Sequence, residues 1–200
     1  MMKVTVFYDY NCPFCFVGIK RLELLEREFP LKVDSKGIEI HPEIPLRGIK
    51  RSNTLKRSYM IRNLKQLCDE DGLELKLPGI LANSRLSLEA SEFAKTKNKF
   101  RDFHLGIYKA YFQEGENIGE PEVILKVGQE SGLQLDELRE CLIKRTMLEK
   151  IEDNEMEAEG HQVFGVPTFI FDKFLVHGVQ SFESLRSILS RAIRQRQASS

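Results

Sequence analysis

Residues 4–15, VTVFYDYNCPFC, decide the fold. Val4 to Tyr8 reads as a short strand, with Val4, Val6 and Tyr8 on one face and Thr5 and Phe7 on the other. Asp9 to Pro13 is a turn. A helix then runs from Pro13 to Phe29, its apolar stripe formed by Cys15, Gly18, Leu22, Leu25 and Phe29 at steps of three and four. Lys20, Glu23 and Arg27 fall on its other faces, and Pro30 stops it. Two cysteines, Cys12 and Cys15, therefore stand one helical turn apart where a strand hands over to a helix.

A C-x-x-C pair serves either metal or redox chemistry. Zinc wants four ligands. This sequence has no second such pair, and His41, His104, His161 and His177 are scattered, so no metal site is assigned. The redox reading explains more. At a helix N-terminus unpaired N–H groups and the positive end of the dipole favour an anion. Such a setting lowers a thiol pKa from about 8.5 towards roughly 3.5–7.5. Cys12 is thus the expected attacking thiolate, exposed to its partner. Cys15, on the apolar stripe, is the expected resolving thiol, its own pKa raised by burial. Pro13 costs nothing at the first helical position, and Gly18 lets the helix approach the sheet.

Composition narrows the classes further. The chain has 200 residues, 42% of them hydrophobic, with 30 Lys and Arg against 30 Asp and Glu. Collagen-like, low-complexity and disordered classes are excluded. The basic surplus of a nucleic-acid binder is absent, and so are a membrane-length apolar run and a polybasic membrane signature. The opening residues MMKVTVFYDY lack the apolar core of a signal peptide, so the expected compartment is the cytoplasm, where thiols are held reduced. There a close cysteine pair reads as catalytic rather than structural.

Outward from this start, Gly37 to His41 reads as a second strand. A charged helical stretch follows: Thr54 to Asp69, Ser87 to Lys97, Phe100 to Phe112, a helix begun by Pro121, and one or two helices from Asp136 to about Glu159. Gly160 to Pro167 is loop, Thr168 to Phe171 and Phe174 to His177 are paired strands, and an amphipathic helix through Phe182, Leu185 and Leu189 ends the chain. The expected division is an α/β domain of residues 1–45 and 160–200, with residues 46–159 as a helical insertion. Val166-Pro167 precedes a strand; taken alone such a bond is trans rather than cis by roughly 20 to one.

Together NCPFC (11–15), GVPTFIF (165–171), VHGVQSFESL (176–185) and, between them, NSRLSLEASEFAKTKN (83–98) and AYFQEGENIG (110–119) resemble the DsbA-like, FrnE-type oxidoreductases of the thioredoxin superfamily. The resemblance spans nearly the whole chain. It implies an α/β thioredoxin fold (β-α-β … β-β-α) with a large all-helical insertion. It further implies a cis Val166–Pro167 bond beside the cysteines, and substrate held by Val166, Pro167, Pro13 and Phe14 through strand addition to the backbone before the proline. No prosthetic group is implied; the dithiol is the redox centre, and glutathione fits as a co-substrate. The partners implied are thiol- or disulfide-bearing proteins or small molecules, met by a monomer or homodimer. One departure stands out. Periplasmic DsbA proteins carry Pro-His between the cysteines, and Phe14 offers no hydrogen bond to a thiolate, so their strongly oxidising character is not carried over.

The remaining residues have plainer readings. Cys68 and Cys141 sit on apolar stripes as buried inert thiols, and the four histidines are structural or exposed. Tyr10 is placed to pack over the site and Asn11 to cap the helix. Lys95, Lys97, Lys99 and Arg101 read as a solvated basic face, with anion binding as the alternative. Asn83 to Arg85 read as a capping turn, with a cleft lining as the alternative. Tyr108, Tyr111 and Phe112 read as the core of the insertion, with an apolar wall facing Cys12 as the alternative. Two rival functions share the motifs. One is a glutathione-dependent isomerase or transferase resembling 2-hydroxychromene-2-carboxylate isomerase and the kappa-class transferases, against which the paired cysteines argue. The other is a non-enzymatic redox-sensitive binding or chaperone module.

Overall fold

Apolar residues build the centre of the molecule from two distant parts of the chain. The computed structural model describes residues 1–52 and 55–198. Strand β1 (Met2–Tyr8) is buried at every position but Lys3, as a strand covered on both faces requires. It leads into α1 (Pro13–Glu28) and then β2 (Leu31–Gly37). Next come β3 (Ile49–Lys50), α2 (Leu55–Asp71) and β4 (Ile80–Leu81). Helices α3 (Arg85–Thr96), α4 (Phe100–Lys109), α5 (Pro121–Glu130), α6 (Leu135–Lys144) and α7 (Leu148–Gly160) follow. The chain closes with β5 (Thr168–Phe171), β6 (Phe174–His177) and α8 (Phe182–Ala198). The main sheet has the order β2-β1-β5-β6, with β1 parallel to β2 and antiparallel to β5. A separate pair joins β3 to β4. Among the described residues no helix is long and apolar enough to cross a membrane.

Two sequence expectations change and one open alternative is decided. The second strand is not Gly37 to His41 but Leu31–Gly37, directly after Pro30, with Leu31 opposite Met2. It is an edge strand, so its polar residues find partners outside the sheet: Lys36 pairs with Glu157 of α7 at 2.8 Å. After Gly37 the remaining IEIH (38–41) runs on as loop, with the Ile38 N–H bonded to the Tyr8 carbonyl at 2.9 Å. Second, the helix expected to reach Phe112 changes pitch. Beyond α4 residues Ala110–Glu114 form a π-helical turn, whose wider winding lets neighbouring Tyr111 and Phe112 both point inward. Third, the stretch from Asp136 is two helices, broken at Arg145, whose φ of 54° is left-handed. A bidentate contact from Arg145 to the fully buried Glu89 of α3 holds that break. The start expected at Thr54 lies outside the described residues.

Two apolar clusters fix the position of α1. On one side Leu22 and Leu25 join Val4, Val6, Phe169 and, from α8, Leu185 and Leu189. On the other, Cys15, Phe16 and Ile19 join Phe103, Ile107 and Tyr108 of α4 and Phe112 of the π-helical turn. The first half of α1 is therefore buried nearly all round, beyond the single stripe expected.

Arg21 of α1 lies inside this packing, only 2% exposed. Its guanidinium grips Asp71 at the end of α2 with bonds of 2.7 and 3.1 Å and donates to the Gln180 carbonyl at 2.7 Å. Removing one member of a buried, hydrogen-bonded ion pair strands the other. An Arg21→Ala variant is expected to lose about 3 kcal/mol of stability in urea unfolding, and Arg21→Lys is expected to recover only part, because an ammonium cannot form the two-pronged contact.

Candidate active site

The end of β1 and the start of α1 place the two cysteines. Cys12 is the N-cap of α1, with φ −90° and ψ 110°, and Pro13 occupies the first turn. The Cys12 N–H donates to the Asp9 carbonyl at 3.1 Å and the Cys15 N–H to the Cys12 carbonyl at 3.0 Å. Cys15 is fully buried, as expected. Cys12 is less open than expected, at 8% exposed, because the loop before β5 covers it. That loop carries the cis Val166–Pro167 bond. The Cys12 thiol donates to the Val166 carbonyl at 3.3 Å across 154 residues of sequence.

Backbone and side-chain bonds pin the loop from behind. The Thr168 hydroxyl donates to the Gly165 carbonyl at 2.7 Å and meets His177 Nδ1 at 3.0 Å. The Gly178 N–H donates to the Pro167 carbonyl at 2.8 Å. Gly18 permits the approach of α1: a Cβ there would lie 2.9 Å from the Phe169 ring and 3.3 Å from the Pro167 ring. Cys12, Pro13, Cys15, Val166 and Pro167 thus come together. Phe14 turns partly outward, packing between the α1–α4 cluster and a smaller one around Val17, Leu64 and Cys68.

The two sulfurs differ in acidity. Cys12 is held below the usual thiol range first by the hydrogen bond from the Cys15 thiol, and then by the N–H groups of Cys15 and Phe14. Burial and the charge of Asp9 oppose these. Helix-terminal amides, the cause the sequence suggests, do contribute, but the neighbouring thiol contributes more. Burial raises the Cys15 thiol, and the interaction with Cys12 raises it further.

Around Asp9 lies a polar layer that the sequence does not announce. Asp9 is fully buried, and burial lifts its carboxyl to about 6 even though N–H groups of Asn11 and Ile40 donate to it at 2.9 and 2.8 Å. Asn11 does not cap α1; its side-chain amide donates to the Ala82 carbonyl at 2.7 Å, joining the site to the segment after β4. The Tyr108 hydroxyl donates to the Asp9 carbonyl at 3.3 Å. Tyr10 is fully buried in the same apolar cluster as Cys12 and Cys15, its hydroxyl 3.0 Å from His104 Nδ1. His104 is enclosed by Tyr8, Tyr10, Phe100 and Tyr108. Burial, with smaller contributions from Lys95 and Lys20, lowers its pKa to about 3, so it is neutral. The i, i+4 spacing of Phe100, His104 and Tyr108 was the one available sign of this layer.

The other residues fall as follows. Cys68 and Cys141 are buried thiols on helices, Cys68 beside Leu64 and Cys141 accepting from the Thr146 hydroxyl at 3.1 Å. In the basic stretch Lys95 pairs with Glu92, Lys97 with Glu137 and Arg101 with Glu23. Asn83 accepts from the Arg85 N–H at the start of α3, while the Arg85 side chain pairs with Glu39. Among the described residues, no group of three or more His, Cys, Asp or Glu side chains is arranged to hold a metal ion.

A four-stranded sheet of this order, with a C-x-x-C at a helix start facing a cis-proline loop, defines a thioredoxin-like protein carrying inserted helices. Residues 3–190 match the DSBA-like thioredoxin domain, and the chain belongs to that family. It is 27% identical over 197 residues to the uncharacterized protein YwbO of Bacillus subtilis, covering 94% of this chain and 96% of YwbO. Three solved structures share the fold. A probable DsbA oxidoreductase of Streptomyces coelicolor superposes with a TM-score of 0.87 at 21% identity, over 96% of this chain and 90% of that one. A 2-hydroxychromene-2-carboxylate isomerase gives 0.81 at 20% identity over the full length of both chains. The cytosolic disulfide reductase DsbM of Pseudomonas aeruginosa, in a structure with GSH, gives 0.69 at 16% identity over 96% and 99%.

Proposed function

We propose that this protein is a FrnE-type thiol–disulfide oxidoreductase in which Cys12 attacks, Cys15 resolves, and the backbone at Val166 and Pro167, with Pro13 and Phe14, receives the substrate. One observation carries the reading: Cys12, its pKa lowered by the thiol of a buried Cys15, sits 3.3 Å from the Val166 carbonyl on the cis-proline loop. The Cys12 thiolate attacks one sulfur of a substrate disulfide; a mixed disulfide forms and the second substrate sulfur departs as a thiolate that takes up a proton. Cys15 then gives up its proton and attacks Cys12. The intramolecular disulfide forms and the first substrate sulfur leaves. The substrate is reduced by two electrons and the protein oxidised by two, and the reverse sequence forms disulfides.

Residues 1–45 and 160–200 act as the thioredoxin-like unit and residues 46–159 as the helical insertion that walls the site. The cytoplasm is the proposed compartment, supported by the resemblance to a cytosolic reductase. Glutathione is the proposed small-thiol partner on the same ground, beside disulfide-bearing proteins. A buried second cysteine has no use in an isomerase that only adds and removes glutathione, so the pair Cys12 and Cys15 favours exchange.

Alkylation of Cys12 across a pH series tests the reading. The wild type is expected to titrate below an ordinary thiol, with Cys15 unreactive until much higher pH. A Cys15→Ala variant is expected to shift the Cys12 midpoint upward, because it removes the largest stabilising hydrogen bond. A Cys12 as slow as free cysteine would overturn the mechanism.

A further inference from the structure

The charge of the chain is balanced overall but not locally. Between Leu46 and Cys68 there is no Asp or Glu, while Arg47, Lys50, Arg51, Arg62 and Lys65 all fall there, so the rest of the chain carries the acidic excess. Cations elsewhere commonly meet carboxylates, as Lys36, Arg85, Arg101 and Arg145 do. Here Lys65 pairs with Asp69. Arg51 donates to neutral oxygens of Tyr111 and Ile80. Among the described residues Arg47, Lys50 and Arg62 meet no carboxylate, and all three are exposed.

Apolar side chains interleave with these cations. Leu46, Ile49, Tyr59 and Ile61 are four of the ten large apolar side chains exposed among the described residues, all within one short stretch. Ile61 also lines a cavity of about 630 Å³, with Leu64 and Cys68 of α2 and with Leu73, Leu75 and Leu77. Its rim is charge-balanced, with Lys65 and Lys76 against Asp69 and Glu74. The unpaired positive charge lies outside that rim: Arg62 follows the lining residue Ile61 on α2, while Arg47 lies just before β3 and Lys50 within it, and β3 pairs with β4 just beyond Leu77.

This surface adjoins the reactive cysteines. Phe14, between the cysteines in sequence, packs against the apolar cluster that holds Leu64, Leu73, Leu75 and Leu77. From the cavity the chain runs through residues 73–79 into β4, and the next residue, Ala82, accepts the hydrogen bond from Asn11. The Arg51 guanidinium reaches the same place: it donates to the Tyr111 hydroxyl, which the Ala82 N–H also contacts.

We propose that this surface docks an acidic, apolar polypeptide segment of the disulfide-bearing substrate. Arg47, Lys50 and Arg62 face its carboxylates and the leucine-lined cavity receives an apolar side chain. Unpaired cations on the chain segments that flank an apolar hollow complement such a segment in both charge and shape. A concave hollow suits the single side chain of a polypeptide better than it suits a lipid surface. The word substrate rests on the function proposed above; the docking does not, since it needs no sulfur.

The test uses a short fluorescein-labelled peptide of alternating Glu and Phe, lacking cysteine, with binding read by fluorescence anisotropy on the full-length protein. The peptide is expected to bind, and added salt to weaken it. A Lys50→Glu/Arg62→Glu variant is expected to bind at least about tenfold more weakly. Both positions are exposed, and circular dichroism checks that the variant folds. A second variant, Ile61→Asp, places a charge at the cavity edge and is expected to weaken binding as well. Equal affinity for the same peptide with Lys in place of Glu would overturn the proposal. So would unchanged affinity in the charge-reversed variant, or binding to phosphatidylglycerol vesicles with none to the peptide. Cys12→Ser protein is expected to bind the peptide like wild type. Failure of peptide binding with intact thiol exchange would therefore refute the docking alone, and the converse would refute the exchange alone.

Discussion

A Cys12→Ser variant is expected to lose disulfide turnover by a factor on the order of 10³ or more, with its fold intact. Serine keeps the shape and the hydrogen bond to the Val166 carbonyl seen for the thiol at 3.3 Å, so little packing changes. What disappears is the sulfur that forms the mixed disulfide. Its hydroxyl stays protonated at neutral pH and cannot make an S–S bond. Cys15 cannot substitute, being fully buried with its pKa raised by that burial. A Cys15→Ser variant has a different fate: Cys12 still attacks, nothing resolves the product, and a mixed disulfide accumulates. Reduction of a protein disulfide such as that of insulin, followed by thiol labelling and mass measurement of the trapped adduct, reads both outcomes. Labelling is the practical probe because the chain has no tryptophan. Equal turnover in the Cys12→Ser protein would remove the proposed nucleophile.

The motif at Cys12 to Cys15 and the proline at 167 were legible because each depends on a few adjacent residues. A thiol at a helix start and a proline before a strand announce themselves locally. The second strand was not legible: in LKVDSKG only Leu31 and Val33 alternate towards the core before the run turns polar, and the Lys36 charge is met by Glu157 of α7, a partner the sequence does not announce. The π-helical turn was hidden for a related reason. Tyr111 and Phe112 are apolar in sequence, but only their joint burial against the strand pair and α1 forces the extra residue into the turn. The basic residues drew attention to the wrong place. Lys95, Lys97 and Arg101 stand out as a run yet find carboxylates, on their own helix or on others, whereas Arg47, Lys50 and Arg62 are dispersed and meet none among the described residues. Pairing is a property of the fold, and charge runs do not encode it. Asp9 and His104 are the sharpest case, since the segments that bury them lie far apart in the chain.

Those two residues are expected to give the protein an unusual acid response. His104 has a folded pKa of about 3 against an ordinary 6.5, because burial excludes its charge. The unfolded chain binds a proton between those values and the folded one does not. Stability from neutral His104 is thus present above about pH 6.5 and is lost as pH falls towards 3. Asp9 has a folded pKa of about 6 against an ordinary 3.8. Here the folded state holds the proton, so its contribution is full below pH 3.8 and is lost as pH rises through 6. Between about pH 4 and 6 the two slopes oppose each other and largely cancel. A His104→Phe variant breaks the balance. The aromatic packing is kept and the orphaned Tyr10 hydroxyl imposes a cost that does not vary with pH. Relative to wild type, this variant is expected to gain about 3 kcal/mol on going from pH 7 to 4. An Asp9→Asn variant is expected to move oppositely by a similar amount: asparagine cannot accept from both the Asn11 and Ile40 N–H groups, but that penalty is also constant with pH. Urea unfolding of the three proteins across this range isolates both effects, because surface carboxylates titrate alike in all of them. A difference from wild type that stays flat with pH would show that neither group is shut away from water as the structure places it. The same titration reaches the sulfurs. The charge of Asp9 raises the pKa of both Cys12 and Cys15. Protonating Asp9 below about pH 6 therefore eases ionisation of Cys12, and the thiolate of this proposed nucleophile persists further into acid than it would beside a permanent carboxylate.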